Sequence, residues 1–365
     1  MSFLACTPTV FVIGDCYEIL LYALAPGLFS LRIGGELYYE ESSGVLSSES
    51  AFLRIRVPQA ALDTAGEYTV LYRKTALRRS YFSLFEEEES ATFPFSPVRD
   101  EGEVHLYFVS DLHYHYTEVM EAATYFGEAL DLLIVGGDLG EMENERNYLD
   151  ACRFLGEVTG GRIPVIMARG NHDTRGRLAE RFTDHFPANG KKTYYTFRLA
   201  AFSGVVLDCG EDKWDNHIGS DGPVYNGTNI FERYRREETA FLRTLELPKD
   251  RPLIAVSHIA PSMTTTEEKG EVFDIERETY AEWNRELARL GISVMLSGHL
   301  HRLFVLTPGD ARATSENPYP VIVGAATDRT ASYYIGTAVT LRRDGLTYRF
   351  TDRKHAVLGE GEIGF

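Results

Sequence analysis

Residues 104–116 read VHLYFVSDLHYHY, an apolar-dominated run over 104–109 that passes directly into Asp111, His113 and His115. Such a run, short and rich in β-branched and aromatic residues, predicts a strand buried on both faces. The three residues behind it are all of metal-ligand type. The same grammar returns four times. LLIVGG (132–137) runs into Asp138, and PVIMARG (164–170) into Asn171, His172 and Asp173. LIAVSH (253–258) ends in His258, and SVMLSGH (293–299) leads to His299 and His301. Open α/β sheets bind ligands beyond the carboxyl ends of their strands, so five such ends can assemble one site from residues far apart in sequence. One histidine at a strand end is usually a polar residue satisfied by its neighbours. Five ends sharing carboxylate, amide and imidazole chemistry point to a common centre.

Between these runs lie helical patterns at 117–130, 143–158, 230–246 and 274–290, so residues 98–365 read as a layered α/β domain. The third pattern predicts a buried stripe of Phe231, Tyr234, Phe241, Leu242 and Leu245. Residues 1–97 differ. TVFVIG, EILLYAL, LFSLRIGG, AFLRIRV and EYTVLYRK are short runs punctuated by glycine and proline, the pattern of a small β-sandwich. DTAGEYTV is similar to the tyrosine corner of immunoglobulin-like folds, with Tyr68 as the corner residue. The acidic run and prolines of FEEEESATFPFSPVRDEGE (85–103) read as a linker between the two parts.

Composition narrows the function. Of 365 residues, 44% are hydrophobic and 25% charged, as in an ordinary globular protein, and the formal net charge of −17 argues against nucleic acid as partner. A small phosphorylated substrate is compatible with that charge, because bound cations reverse the local field. Cys6, Cys16, Cys152 and Cys209 have neither zinc-knuckle nor disulfide-framework spacing. The first residues carry no basic n-region, and ILLYALAPGLFSL is broken by Pro26 and Gly27, so a cytoplasmic protein without a membrane span is expected.

In chain order, DLH (111–113), GD (137–138), GNHD (170–173), SH (257–258) and GHLH (298–301) resemble the motifs of the calcineurin-like metallophosphoesterase superfamily. The resemblance covers residues 104 to about 305. A β-sandwich ahead of it is similar to the layout of purple acid phosphatases. The resemblance implies a four-layer α/β/β/α sandwich preceded by a small all-β sandwich domain. It also implies a centre of two divalent or trivalent transition-metal ions (Mn, Fe, Zn, Co or Ni). Carried over, Asp111, His113, Asp138 and His301 serve one metal, and Asp138, Asn171, His258 and His299 serve the other. A metal-activated water would attack phosphorus in a phosphomonoester or phosphodiester. His172 would assist the leaving group, oriented by Asp173 unless that residue only shapes the turn. The purple enzymes carry a tyrosine ligand three residues after the GD aspartate; this chain has Glu141 there. A non-catalytic scaffold of the same fold would be expected to lack ligands, whereas every motif residue is present.

Arg169 and Arg175 flank GNHD and read as surface ion-pairing residues, with contact to a phosphate as the alternative. The irregular segments 209–231 and 260–273 are long enough to wall a cleft, the first as a lid. His115 has no counterpart in the motif and reads as a solvated loop residue.

Overall fold

In the computed structural model, which describes residues 3–220, 222–263, 275–327 and 333–365, each of the five runs is a strand. These are Val104–Val109, Leu132–Val135, Pro164–Met167, Leu253–Ser257 and Val294–Ser297. The first three are parallel neighbours. The last two are also parallel, flanked by Ser203–Val206 and Val321–Thr327. Parallel pairing brings their carboxyl ends to one edge. Val321–Thr327 joins the two sheets: its first residues pair with Val294–Ser297 and its last with Tyr334–Arg342, which borders Val104–Val109.

Strand alternation then builds the layers. Leu106, Phe108, Leu132, Ile134, Ile254 and Val256 fill the core between the sheets. Tyr107, Val109, Leu133 and Val135 face outward, under helices Tyr116–Ala123 and Glu145–Thr159. Leu253, Ala255 and Met295 face the other way, against Trp283 and Leu287 of helix Arg277–Leu290, with Leu242 of helix Phe231–Thr244. The result is the expected α/β/β/α sandwich. The first helix is shorter than its pattern, because the chain turns into a 3-10 segment, Thr124–Ala129, with Gly127 at φ 55°.

Helix Phe231–Thr244 corrects the apolar-stripe expectation. Its buried residues are Arg235, Glu238, Thr239 and Leu242, while the aromatic positions are half-buried. The buried face is polar because it grips backbone: Glu238 accepts from the Asp208 N–H (3.0 Å), and Arg235 donates to the Cys209 and Glu211 carbonyls.

The five N-terminal runs are strands as well, and they form a small all-β sandwich with one unexpected feature. Thr9–Ile13 pairs parallel with Pro164–Met167, and Cys16–Tyr22 and Phe52–Pro58 continue the same sheet. The facing sheet holds Gly27–Ile33, Glu67–Arg78 and Glu89–Pro94. Ile19, Leu21, Leu31, Ile55 and Val70 lie in one continuous core with Leu106 and Ile134. The chain therefore passes residue 97 without leaving that core. The expected linker is partly a strand, since Phe93 and Phe95, each 4% exposed, point inward between the acidic residues and prolines. Tyr68 is not a tyrosine corner. Its buried hydroxyl donates to the Gly161 carbonyl (3.0 Å) just before Pro164–Met167, bonding the sandwich to the α/β layers.

Residues 98–365 expressed alone should be insoluble or molten, because removing Thr9–Ile13 bares an edge of the central sheet and half of a shared core. A soluble fragment that unfolds cooperatively would contradict this reading.

Candidate metal centre and active site

The strand ends deliver their polar residues through unusually strained backbone. Asp111 (φ 58°), His113 (44°), Asp138 (56°), His299 (70°) and His301 (50°) all occupy the left-handed region without being glycine. Each such residue costs about 1–3 kcal/mol and persists only where its surroundings over-determine it. Here the loops interlock too closely for alternatives. A Cβ on Gly170 would lie 2.1 Å from Asp138 Oδ1, and one on Gly298 2.5 Å from Asp111 Oδ2. That is why glycine precedes the ligand-type residue in both motifs.

The side chains converge as two groups that share one carboxylate. His301 Nε2 is 3.4 Å from Asp111 Oδ1 and 3.4 Å from His113 Nε2. His113 Nε2 is 3.7 Å from Asp138 Oδ2, and that same oxygen is 3.3 Å from His258 Nε2. On the far side, Asn171 Oδ1 lies 3.0 Å from His258 Nε2 and 3.1 Å from His299 Nδ1. Asp111 is completely buried and Asp138 nearly so.

Two of the imidazoles are oriented from outside. His258 Nδ1 donates to the Gly136 carbonyl (2.9 Å) and His301 Nδ1 to the Thr327 carbonyl (3.1 Å), which turns each Nε2 toward the cluster. Imidazole and amide groups gathered around two buried carboxylates are a poor arrangement for a core but a suitable one for cations. Nitrogen and oxygen donors without cysteine fit first-row transition metals. Electrostatics agrees. Burial disfavours a charged His258, yet the Asp138 carboxylate lifts it to about 10. Burial and then the charge on His258 push His299 down to about 3. The cluster thus compensates its buried carboxylates with a proton that a bound cation would replace.

His172 sits at the rim, its ring 4.7 Å from that of His113. Its backbone N–H donates to Asp138 Oδ1 (2.8 Å), tying it to the shared carboxylate. Its orienting partner is not Asp173. His172 Nδ1 is 2.7 Å from Glu141 Oε1, and the Tyr114 hydroxyl donates to Glu141 in turn. Burial would raise the Glu141 carboxyl, but the His172 hydrogen bond holds it below the usual range. Asp173 instead accepts from the backbone N–H groups of Asp138 (2.9 Å), Leu139 (2.9 Å) and Gly170 (2.7 Å). It staples the GD and GNHD turns together. Glu141 was legible only as the residue standing where a tyrosine ligand would be. What it touches could not be read from its position.

The two arginines are not surface residues either. Arg169 pairs with buried Asp208 (2.7 Å) inside a box of Phe182, Phe231 and Tyr234 rings. Arg175 forks onto fully buried Glu211 (2.8 and 2.6 Å), and its free edge reaches His172 Nε2 (3.1 Å). His115 starts helix Tyr116–Ala123 as a half-buried residue and joins none of the metal-capable groups among the described residues. The 209–231 segment contributes Lys213, Val224, Tyr225, Thr228 and Asn229 to a cavity beside Arg175. Most of the second expected wall, from residue 264 onward, lies outside the described residues.

Asp173→Ala should act on stability as well as on the centre. Three N–H donors lose their shared acceptor, each one left unsatisfied costing about 1–3 kcal/mol. We expect a sharply lowered denaturation midpoint together with loss of metal. A variant of wild-type stability and full metal content would exclude the staple.

Comparison with known proteins agrees with this geometry. The model of the calcineurin-like phosphoesterase family matches residues 104–303. No curated protein sequence matches the chain. The fold is similar to that of a purple acid phosphatase from yellow lupin (Lupinus luteus) seeds, at 12% identity and a TM-score of 0.63, over 98% of this chain and 74% of that one. It is also similar to the structure of PhoD, at 11% identity and a TM-score of 0.59, over 100% of this chain and 89% of that one. With its family match spanning all five motifs and its fold matching theirs, the chain belongs to the calcineurin-like phosphoesterases.

Proposed function

We propose that this protein is a dinuclear-metal hydrolase of small phosphate esters. The observation that carries the reading is the sharing of Asp138 Oδ2 between His113 and His258. Two dications held in one site repel strongly unless an anion is shared between them, and Asp138 would supply that charge. Asp111, His113, Asp138 and His301 would hold one ion, and Asp138, Asn171, His258 and His299 the other. When bound, the ions supply Lewis-acid polarisation of the phosphoryl group and a water acidic enough to react near neutral pH.

The chain's own groups do the rest. Glu141 holds His172 Nδ1–H, which turns Nε2 toward the reacting edge. The water loses a proton to solvent as its oxygen bonds to phosphorus, the ester P–O bond breaks, and His172, carrying a proton on both nitrogens for this step, delivers the Nε2 proton to the departing oxygen while Glu141 keeps Nδ1–H. Arg175, beside His172 Nε2, would meet a phosphoryl or leaving-group oxygen. All four cysteines are free thiols, two of them buried, which supports placement in a reducing cytoplasm.

Manganese-loaded protein assayed with p-nitrophenyl phosphate and bis(p-nitrophenyl) phosphate tests the activity and separates monoester from diester cleavage. His172→Ala should keep both metals and lose ~10²–10⁴ in kcat, the usual worth of a general acid. Glu141→Ala should also keep the metals and lose ~10–100-fold. Full activity in His172→Ala would sink the assignment.

Metal content addresses the ligands separately. His113→Ala should bind fewer ions than the wild type, and His115→Ala the same number. Because His258 rests at about 10, it is protonated at neutral pH until a cation arrives. Metal binding should therefore release protons and weaken as pH falls, read as a buffer-dependent enthalpy in calorimetry. Proton-neutral binding would count against His258 as a ligand.

A further inference from the structure

The phosphoesterase reading leaves open what the phosphate is attached to, and a cavity next to His172 bears on that question. It measures about 500 Å³, within the range of small-molecule sites, and one wall is Arg175. The path from the centre is short. Asp138 and His172 lie in one group of close ligand atoms, and His172 Nε2 is 3.1 Å from the Arg175 guanidinium. Arg175 cannot swing away freely, because Glu211 holds its fork and Arg235 in turn grips the Glu211 carbonyl. Opposite it, the 209–231 segment presents Tyr225, Val224, Thr228 and Asn229. The Tyr225 phenol stands against Glu211, which together with burial raises it above its usual range.

The charges of this cavity balance. Arg175 is matched by Glu211 (2.6 Å) and Asp212 (3.2 Å), and Lys213 pairs with the same two carboxylates. In the adjoining cavity of about 370 Å³, which shares Thr174, Gly176, Thr228 and Asn229, the cation is Arg169, matched by Asp208. Among the described residues each cation of the two cavities has a carboxylate partner, and an added phosphate or carboxylate would face Glu211 and Asp212. A half-buried aromatic ring, a valine, two threonines and an asparagine suit a neutral, flat, hydrogen-bonding body.

Resting on the phosphoesterase reading, we propose that this cavity is the leaving-group subsite and that it selects uncharged ring-bearing alcohols, aryl or nucleoside, over alkyl alcohols and over alcohols that carry a second anion. Tyr225 supplies the ring contact, and the Arg175–Glu211 pair forms the rigid wall that sets its position.

The test measures kcat/KM of the manganese-loaded full chain on phenyl, methyl and 4-carboxyphenyl phosphate, run as monoesters and as their methyl diesters. In the wild type, phenyl phosphate should exceed its 4-carboxy analogue by at least about tenfold. Tyr225→Ala should lower the phenyl-to-methyl ratio by about tenfold or more, while Tyr225→Phe keeps it within about twofold. A Tyr225→Ala ratio equal to the wild type, or equal use of the carboxylated ester, overturns the subsite and leaves the hydrolase reading standing. Absence of hydrolysis with every ester overturns both.

Discussion

Asp138 is a buried carboxylate that three other parts of the fold must reach at once. Its Oδ2 faces His113 from one sheet and His258 from the other, and its Oδ1 accepts the His172 N–H. Its own N–H is held by Asp173. A charge in that position is tolerable only if opposite charge is delivered to it. The surrounding structure does so in two ways: with imidazoles whose outer nitrogens are fixed by backbone carbonyls, and with a donor geometry suited to cations on either side.

That requirement explains the cost accepted in the backbone. Five of the site residues hold a left-handed conformation that side chains disfavour. The turned conformation carries these residues off the strand ends and into one cluster. The strain is offset by packing beneath it, since the strands that end at the site carry the most deeply buried residues of both outer cores and of the core between the sheets. The N-terminal strands take part in this support. By pairing with Pro164–Met167, they brace the strand that presents Asn171 and His172. The added β-sandwich is therefore a structural buttress of the centre.

The outer ring of the site follows a different logic. Arg169, Arg175, Arg235, Asp208, Glu211 and Glu238 are all substantially buried; Arg169 pairs with Asp208 and Arg175 with Glu211, while Arg235 and Glu238 are held through backbone groups. Removing one member would leave its partner buried and uncompensated, so the group behaves as a unit. Its effect is to hold Arg175 against His172 and to fix the wall of the adjacent cavity. Helix Phe231–Thr244 carries a polar buried face for this reason, against the apolar stripe its periodicity suggests.

Much of this was written in the chain order of residues. Apolar runs of strand length and the polar types that follow them determined the layered α/β fold and which loops gather at the strand ends, because strand burial and carboxyl-end placement depend on local pattern. What the tertiary structure alone decided were the contacts between segments. Glu141 rather than Asp173 partners His172, residues 89–94 of the expected linker fold as a strand, and both arginines beside GNHD turn inward. Each of these depends on which side chain or backbone N–H arrives from a distant segment, and a hydrogen bond acts over about 3 Å, a distance that residue order does not encode.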